Sequence, residues 1–125
     1  MRFIILSAVV SILLMADPGK ARAEVLTWDC LFEYRVDEGG RKPEEMRLLF
    51  KVDTLSQRAL MEGNNGIVDV ELHVGDEAFS FIEKVGSGVA QSTTITRNGD
   101  AVHSRNTVML GQFIAAQHFG KCQFE

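Results

Sequence analysis

Apolar and polar residues alternate along most of this chain, and the clearest alternation lies in residues 26–34. One face of that run carries the only Trp, the only Tyr and the first cysteine of the chain, and the other face is polar. The residues on the apolar face are Leu26, Trp28, Cys30, Phe32 and Tyr34. A period of two is typical of a half-buried strand, so we predict the first strand here, with these five side chains on one face.

Seven further segments show strand patterns, separated by turn residues. We predict strands at residues 46–53, 58–62, 67–74, 78–85, 89–97, 100–109 and 112–119. Residues 37–45, with Gly-Gly and a proline, are predicted to form a long solvated loop. Residues 115–117 have a helical turn as their alternative.

Asn-Gly at residues 65–66 and 98–99 predicts tight hairpins, because type I′ turns need positive φ at both central residues. A two-residue loop at 98–99 would place three pairs opposite each other. These pairs are Arg97 with Asp100, Ile95 with Val102, and Thr94 with His103.

Short connections between consecutive strands imply an antiparallel meander, and eight twisted strands can close on themselves. We therefore predict an all-β fold, a small closed barrel of about eight antiparallel strands, with a two-sheet sandwich as the alternative. Its core is predicted to contain Trp28, Phe32, Phe50, Val70, Leu72, Phe79 and Phe81. A barrel this small has room for little more than its side chains, so we expect binding at loops and rim.

The beginning of the chain has the pattern of an export signal. Residues 4–15 carry no charge but are too few to cross a bilayer as a helix, and Ala21-Arg22-Ala23 supplies a small-x-small cleavage pattern. We predict a signal peptide over residues 1–23, cleaved before Glu24, and a single domain over residues 24–125. The expected location is periplasmic or secreted. An uncleaved anchor is the alternative.

Two cysteines in an exported chain are best explained by one disulfide. A Cys30–Cys122 bridge would tie the first strand to the end of the last and, on the chain-entropy model, contribute about 4–5 kcal/mol. The alternative is a pair of free thiols in a metal or redox site, and the absence of Cys-x-x-Cys argues against it.

The net charge of the predicted domain limits its partners. The whole chain has 13 basic and 17 acidic residues; residues 1–23 hold three of the basic and one of the acidic ones, which leaves 10 against 16, a net charge of −6. A domain this acidic is a poor candidate for nucleic acid or an anionic membrane surface. We also expect no membrane insertion after signal cleavage.

The polar residues suggest one weak binding strip and no catalytic site. His103 and Arg105 share a strand face and, with Ser92 and Thr94 across the hairpin, could form a cationic strip on a solvent-facing sheet, suited to an anion or a partner. Glu83 is the nearest candidate acid catalyst but has no recognisable second carboxylate. His73 is interpreted as solvated surface. We predict no metal, no cofactor and no enzyme activity.

The segment Val85-Gly86-Ser87-Gly88-Val89-Ala90 stands before the sixth predicted strand. With the export signal, the early cysteine and the late Gly-x-Cys, it resembles the bacterial membrane-bound and periplasmic inhibitors of c-type lysozyme. That resemblance implies an eight-stranded barrel with a disulfide that inserts a Ser-Gly-rich loop into the lysozyme cleft. In that family a Tyr follows the loop and a later loop carries a Lys, whereas here Gln91-Ser92 follows and Asn98-Gly99-Asp100 has no Lys.

The second half of the chain resembles small exported bacterial proteins of unassigned function. The shared pattern is Thr93-Thr94-Ile95, then residues 99–105, then a late Gly-Lys-Cys that ends at Cys122.

Taken together, these features predict an exported, non-enzymatic protein-binding module, inhibitor-like in its mode of action. Its contact residues would be Gly86, Ser87 and Gly88, with His103 and Arg105, and its partner c-type lysozyme or an envelope component. The alternative is a structural or envelope-associated domain with no small ligand.

Overall fold

The chain folds into a closed antiparallel barrel of eight strands. The structure is a computed structural model and describes residues 24–125; the predicted signal peptide lies outside the described residues. The strands are β1 Val25–Asp37, β2 Gly40–Asp53, β3 Ala59–Gly63, β4 Gly66–Val74, β5 Ala78–Lys84, β6 Ala90–Thr96, β7 Asp100–Met109 and β8 Gln112–Phe124. Each strand pairs with the next along the chain, and β1 also pairs with β8. The predicted barrel is confirmed.

The disulfide lies where the barrel closes. Cys30 of β1 is directly opposite Cys122 of β8, and the two are bonded, with both side chains buried. Among the strands of residues 24–125, the bridge therefore covalently fastens the one neighbouring pair that is far apart in sequence. The predicted pairing is confirmed, and a small disulfide-bonded barrel is compatible with an extracellular location.

The two ends of the barrel differ. Hairpins β2–β3, β4–β5 and β6–β7 lie at one end, which we call the closed end; hairpins β1–β2, β3–β4, β5–β6 and β7–β8 lie at the other, the open end. Aromatic side chains fill the interior towards the closed end. Phe81 stacks on Phe50 at 4.3 Å between ring centroids, and Trp28 packs on Phe79 at 5.2 Å.

The predicted core is confirmed. Phe32, Phe50, Val70 and Phe81 are buried, and the other three predicted members are partly buried and pack against them. Those three are Trp28, Leu72 and Phe79.

One predicted local structure is wrong because backbone pairing does not need an apolar face. The predicted loop at residues 37–45 is mostly strand, since β2 begins at Gly40 and pairs with β1 as far as Asp37 opposite Gly40. The strand predicted over residues 112–119 is confirmed, since residues 115–117 belong to β8 and pair with β7, and the alternative of a helical turn is not adopted.

The predicted register of the β6–β7 hairpin is also wrong, by one residue. Its loop has three residues, 97–99, because Gly99 at φ 94° donates its N–H to the Thr96 carbonyl (2.9 Å) and so ends a turn that begins there. Thr93, not Thr94, therefore lies opposite His103. A slip of one residue exchanges the two faces of a strand, so the predicted strip on the outer surface does not exist and His103 lies inside the barrel.

A β-bulge in β1 has a similar effect on the first predicted strand. The register shifts between Phe32 and Tyr34, so Tyr34 stacks on Phe119 on the outside of the barrel at 5.1 Å between ring centroids. The prediction that Tyr34 shares the inner face is therefore wrong. The same bulge turns Arg35 inwards, where its side chain lines the polar interior of the open end.

Candidate binding site at the open end of the barrel

The barrel interior opens into a cavity of about 370 Å³ at the open end. On the side formed by β2, β3 and β4, four apolar side chains line the cavity beside polar residues of β2 and of the β3–β4 turn; the apolar ones are Met46, Leu48, Met61 and Val68. The opposite wall is polar and comes mainly from β1, β5, β6, β7 and β8. Cavities of this size and mixed lining are typical of small-molecule sites. The expectation that side chains fill the barrel thus holds towards the closed end and fails at the open end.

A buried histidine organises the polar wall. His118 of β8 is 1% exposed, and its Nε2 lies 2.9 Å from Oε2 of Glu44 on β2, the strand on the other side of β1. The other carboxylate oxygen of Glu44 accepts a hydrogen bond from Arg35 (3.5 Å), and Arg35 also pairs with Asp37 at 2.7 Å. Glu44 therefore uses one carboxylate oxygen for His118 and the other for Arg35, which also bonds to Asp37.

A second histidine lies beside the first. His103 is 3% exposed, its Nδ1 is 2.6 Å from Thr93 Oγ1, and its ring centroid is 5.9 Å from that of His118. Burial lowers the pKa of His103 to about 4, and the nearby charges of His118 and Arg105 act in the same direction. His103 is thus a neutral hydrogen-bonding group at pH 7 and adds no positive charge to the cavity.

Several polar groups of this wall have no partner among residues 24–125. The buried atoms are Nδ1 of His118 and Nε of Arg35. Two partly exposed side chains that line the cavity, Arg105 and Glu83, form no ion pair with any described residue. Gln91 stands between them, because it pairs with Glu83 on one side and with Arg105 on the other.

The predicted Gly86-Ser87-Gly88 element is an exposed hairpin turn at the same end. The Gly88 N–H donates to the Val85 carbonyl and the Val85 N–H to the Val89 carbonyl, both at 2.9 Å. Gly88 has φ 104°, which a residue with a side chain rarely adopts. All three residues of the element are exposed, so Ser87 is presented to the solvent at the tip of the β5–β6 connection.

The β7–β8 hairpin extends farther than its neighbours, which the strand pattern alone did not reveal. Strand β7 pairs with β6 only as far as Arg105. Strand β8 pairs with β1 only from Gln117 onwards. Residues 106–115, which we call the apolar ribbon, therefore pair only with each other. Its exposed large apolar side chains are Val108, Met109, Leu110, Phe113 and Ile114.

Leu110 at the ribbon tip is unusual. It is fully exposed and has φ 53°, followed by Gly111 at φ 80°, as in a type I′ turn. Asn or Gly is preferred at that position, and a leucine there is both strained and in contact with water. Neither folding nor solubility favours this residue.

Residues 24–125 contain no group of three or more His, Cys, Asp or Glu side chains placed to hold a metal ion. Within the same described part of the chain, no helix is long and apolar enough to cross a membrane. His73 is exposed, as predicted.

The structure brings together some predicted residues and adds others. His103 and Arg105 do share a face, but it is the inner one. Sequence reasoning missed His118, Glu44 and Arg35, since 74 residues separate the first two and the bulge hides the third. The apolar ribbon could have been recognised in the sequence, because residues 106–117 contain no charged side chain.

Comparison with known proteins supplies no relative for this barrel. No protein-family model matches the chain, and no curated protein or solved structure is significantly similar to it. A function for this protein therefore has to be inferred from the geometry of the open end.

Proposed function

We propose that this protein is an exported, non-enzymatic module that binds another protein through the hairpins of its open end. The observation that carries the proposal is Leu110, a strained and fully exposed leucine at the tip of an uncharged ribbon. Strain and exposed apolar surface that do not serve the fold are typical of contact surfaces. The Gly86-Ser87-Gly88 turn lies at the same end and offers backbone groups that a partner can approach closely.

A protein suits the ribbon better than a lipid bilayer does. Both long edges of residues 106–115 leave backbone N–H and C=O groups unpaired, and hydrocarbon cannot satisfy them. A protein cleft can supply those partners as well as an apolar pocket for the tip.

The charge of the domain favours a basic partner. Residues 24–125 carry a net charge of −6, which speeds association with a positively charged surface. In line with the resemblance to lysozyme inhibitors, c-type lysozyme is the first partner to test and an envelope component the second. On this proposal the protein acts in the periplasm or outside the cell.

The decisive experiment replaces the exposed leucine with the residue that the turn prefers. Leu110→Asn should weaken partner binding at least about tenfold while the barrel stays folded, because it removes the apolar tip and relieves the backbone. Leu55→Asn is the matched control, since Leu55 is also an exposed leucine in a turn but lies at the closed end. Binding is measured by surface plasmon resonance against c-type lysozyme and by quantitative pull-down from envelope extract.

A second pair of variants tests the Gly-Ser-Gly turn. Ser87→Trp adds bulk at the open end and should reduce binding without lowering the melting temperature, whereas Asp76→Trp adds the same bulk at the closed end and should not. If Leu110→Asn and Ser87→Trp both bind like the wild type, the open end is not the contact surface. A structural, envelope-associated role would then replace this proposal.

A further inference from the structure

The cavity behind the ribbon is a separate feature, and its polar wall has unfilled hydrogen-bonding capacity of both kinds. Glu44 occupies His118 Nε2 at 2.9 Å, whereas the buried Nδ1 of the same ring has no hydrogen-bond partner within residues 24–125. That nitrogen faces unfilled space in the polar wall. Arg35 Nε is a buried donor and needs an acceptor.

The cavity mouth likewise carries one positive and one negative side chain. Arg105 and Glu83 both line the cavity and neither has an ion-pair partner within residues 24–125. They stand on strands about 10 Å apart, with the Gln91 amide between them. A simple anion would leave Glu83 without a partner, and a simple amine would leave Arg105 and the Arg35 donor without one.

The apolar residues of the cavity indicate what kind of side chain the ligand carries. Met46, Leu48, Met61 and Val68 supply apolar side chains to the part of the lining that comes from β2, β3 and β4. Methionine side chains adapt to different shapes, so this wall suits an aliphatic or aromatic side chain without selecting one shape. A ligand that satisfies both walls carries an ammonium, a carboxylate and an apolar side chain.

We propose that the open-end cavity binds a small zwitterion with an apolar side chain, an amino acid or a short peptide. Its carboxylate faces Arg105 and Arg35, its ammonium faces Glu83, and its side chain packs on Met46 and Met61. This site goes beyond the proposed partner contact, because it uses the inside of the barrel and none of the ribbon.

The first test uses the unaltered protein and a matched set of probes in isothermal titration calorimetry at pH 7. The probes are L-leucine, L-leucyl-L-leucine, its N-acetyl form, its C-terminal amide, and glycylglycine. Leucine or dileucine should bind one to one, and the tighter of the two distinguishes an amino-acid site from a peptide site. Acetylation, amidation and loss of the side chains should each weaken binding at least about tenfold.

The second test assigns the charges. In Arg105→Gln, dileucine and its C-terminal amide should bind with the same affinity, because the group that recognises the carboxylate is gone. In Glu83→Gln, dileucine and its N-acetyl form should bind with the same affinity, because the group that recognises the ammonium is gone. Lys84→Gln, which changes an exposed residue next to Glu83 that does not line the cavity, should leave every affinity unchanged. Thermal melts confirm that each variant is folded.

The proposal is overturned if neither leucine nor dileucine binds at millimolar concentration, or if the modified probes bind as tightly as dileucine. It is also overturned if Arg105→Gln and Glu83→Gln, both folded, keep the wild-type pattern. Loss of lysozyme or envelope binding in Leu110→Asn bears on the outer contact alone and leaves this test intact.

Discussion

The closed and open ends of the barrel are made of the same eight strands, yet they have opposite interiors. Towards the closed end the inward residues are aromatic and pack on one another: Phe81 stacks on Phe50 and meets Phe79 edge to face. Towards the open end the polar side chains of Arg105, His103 and His118 line a cavity together with a few apolar ones. In this barrel, therefore, the residues that stabilise the fold and the residues available for binding lie at opposite ends.

The outer surfaces differ in the same way. Strain at the closed end is limited to Gln57 (φ 62°), a turn residue, whereas at the open end it falls on an exposed leucine of an apolar ribbon. A two-stranded ribbon supported by nothing else is only marginally stable in water. We therefore expect the free energy of unfolding to depend mainly on the closed end and to change by no more than about 1 kcal/mol with substitutions in the ribbon.

The largest effect should come from the aromatic core. Phe81 is 1% exposed, so Phe81→Ala should lower the free energy of unfolding by about 3–5 kcal/mol, through lost burial and the cavity left behind. Phe113→Ala is the matched control in the ribbon, where the ring is 75% exposed, and should cost less than about 1 kcal/mol. Urea unfolding of both variants measures the contrast, and equal losses would contradict the separation of the two ends.

Acid should destabilise the open end through His103. Its pKa is about 4 in the fold and about 6.5 in the unfolded chain, so the unfolded state takes up the proton first as the pH falls. The stability is fully present above pH 6.5 and is lost between pH 6.5 and 4, by up to about 3 kcal/mol. The carboxyls of Asp37 and Asp53 have pKa values below their ordinary 3.8 and protonate only below this window.

Urea unfolding at several pH values checks this assignment. His103→Gln removes the titrating group and should flatten the profile between pH 6.5 and 4, whatever its effect on stability at pH 7. His73→Gln changes an exposed histidine and should leave the slope as it is. A slope that survives in His103→Gln would place the acid-sensitive group elsewhere.

The sequence was sufficient for the fold and insufficient for the interior of the open end, and the reason is register. Alternation of apolar residues determines which face of a strand is buried where the inner face is apolar, as at Phe50 and Phe81. On β1, β7 and β8 the inner face is polar near the open end, so there the pattern carries no such information. One extra residue in the 97–99 loop placed His103 inside, and the bulge in β1 placed Arg35 inside and Tyr34 outside.

The smallest and most diagnostic effect concerns the ribbon tip. Leu110→Asn replaces a residue that is strained at φ 53° with one that tolerates this conformation, so it should raise the free energy of unfolding by up to about 1 kcal/mol. Loss of the leucine side chain costs nothing in the fold because it is fully exposed. Stabilisation together with weaker partner binding would mean that the chain keeps a less stable residue for the sake of contact. Urea unfolding and the binding assay on the same preparation decide the matter, and a destabilised Leu110→Asn would show that the leucine serves the fold after all.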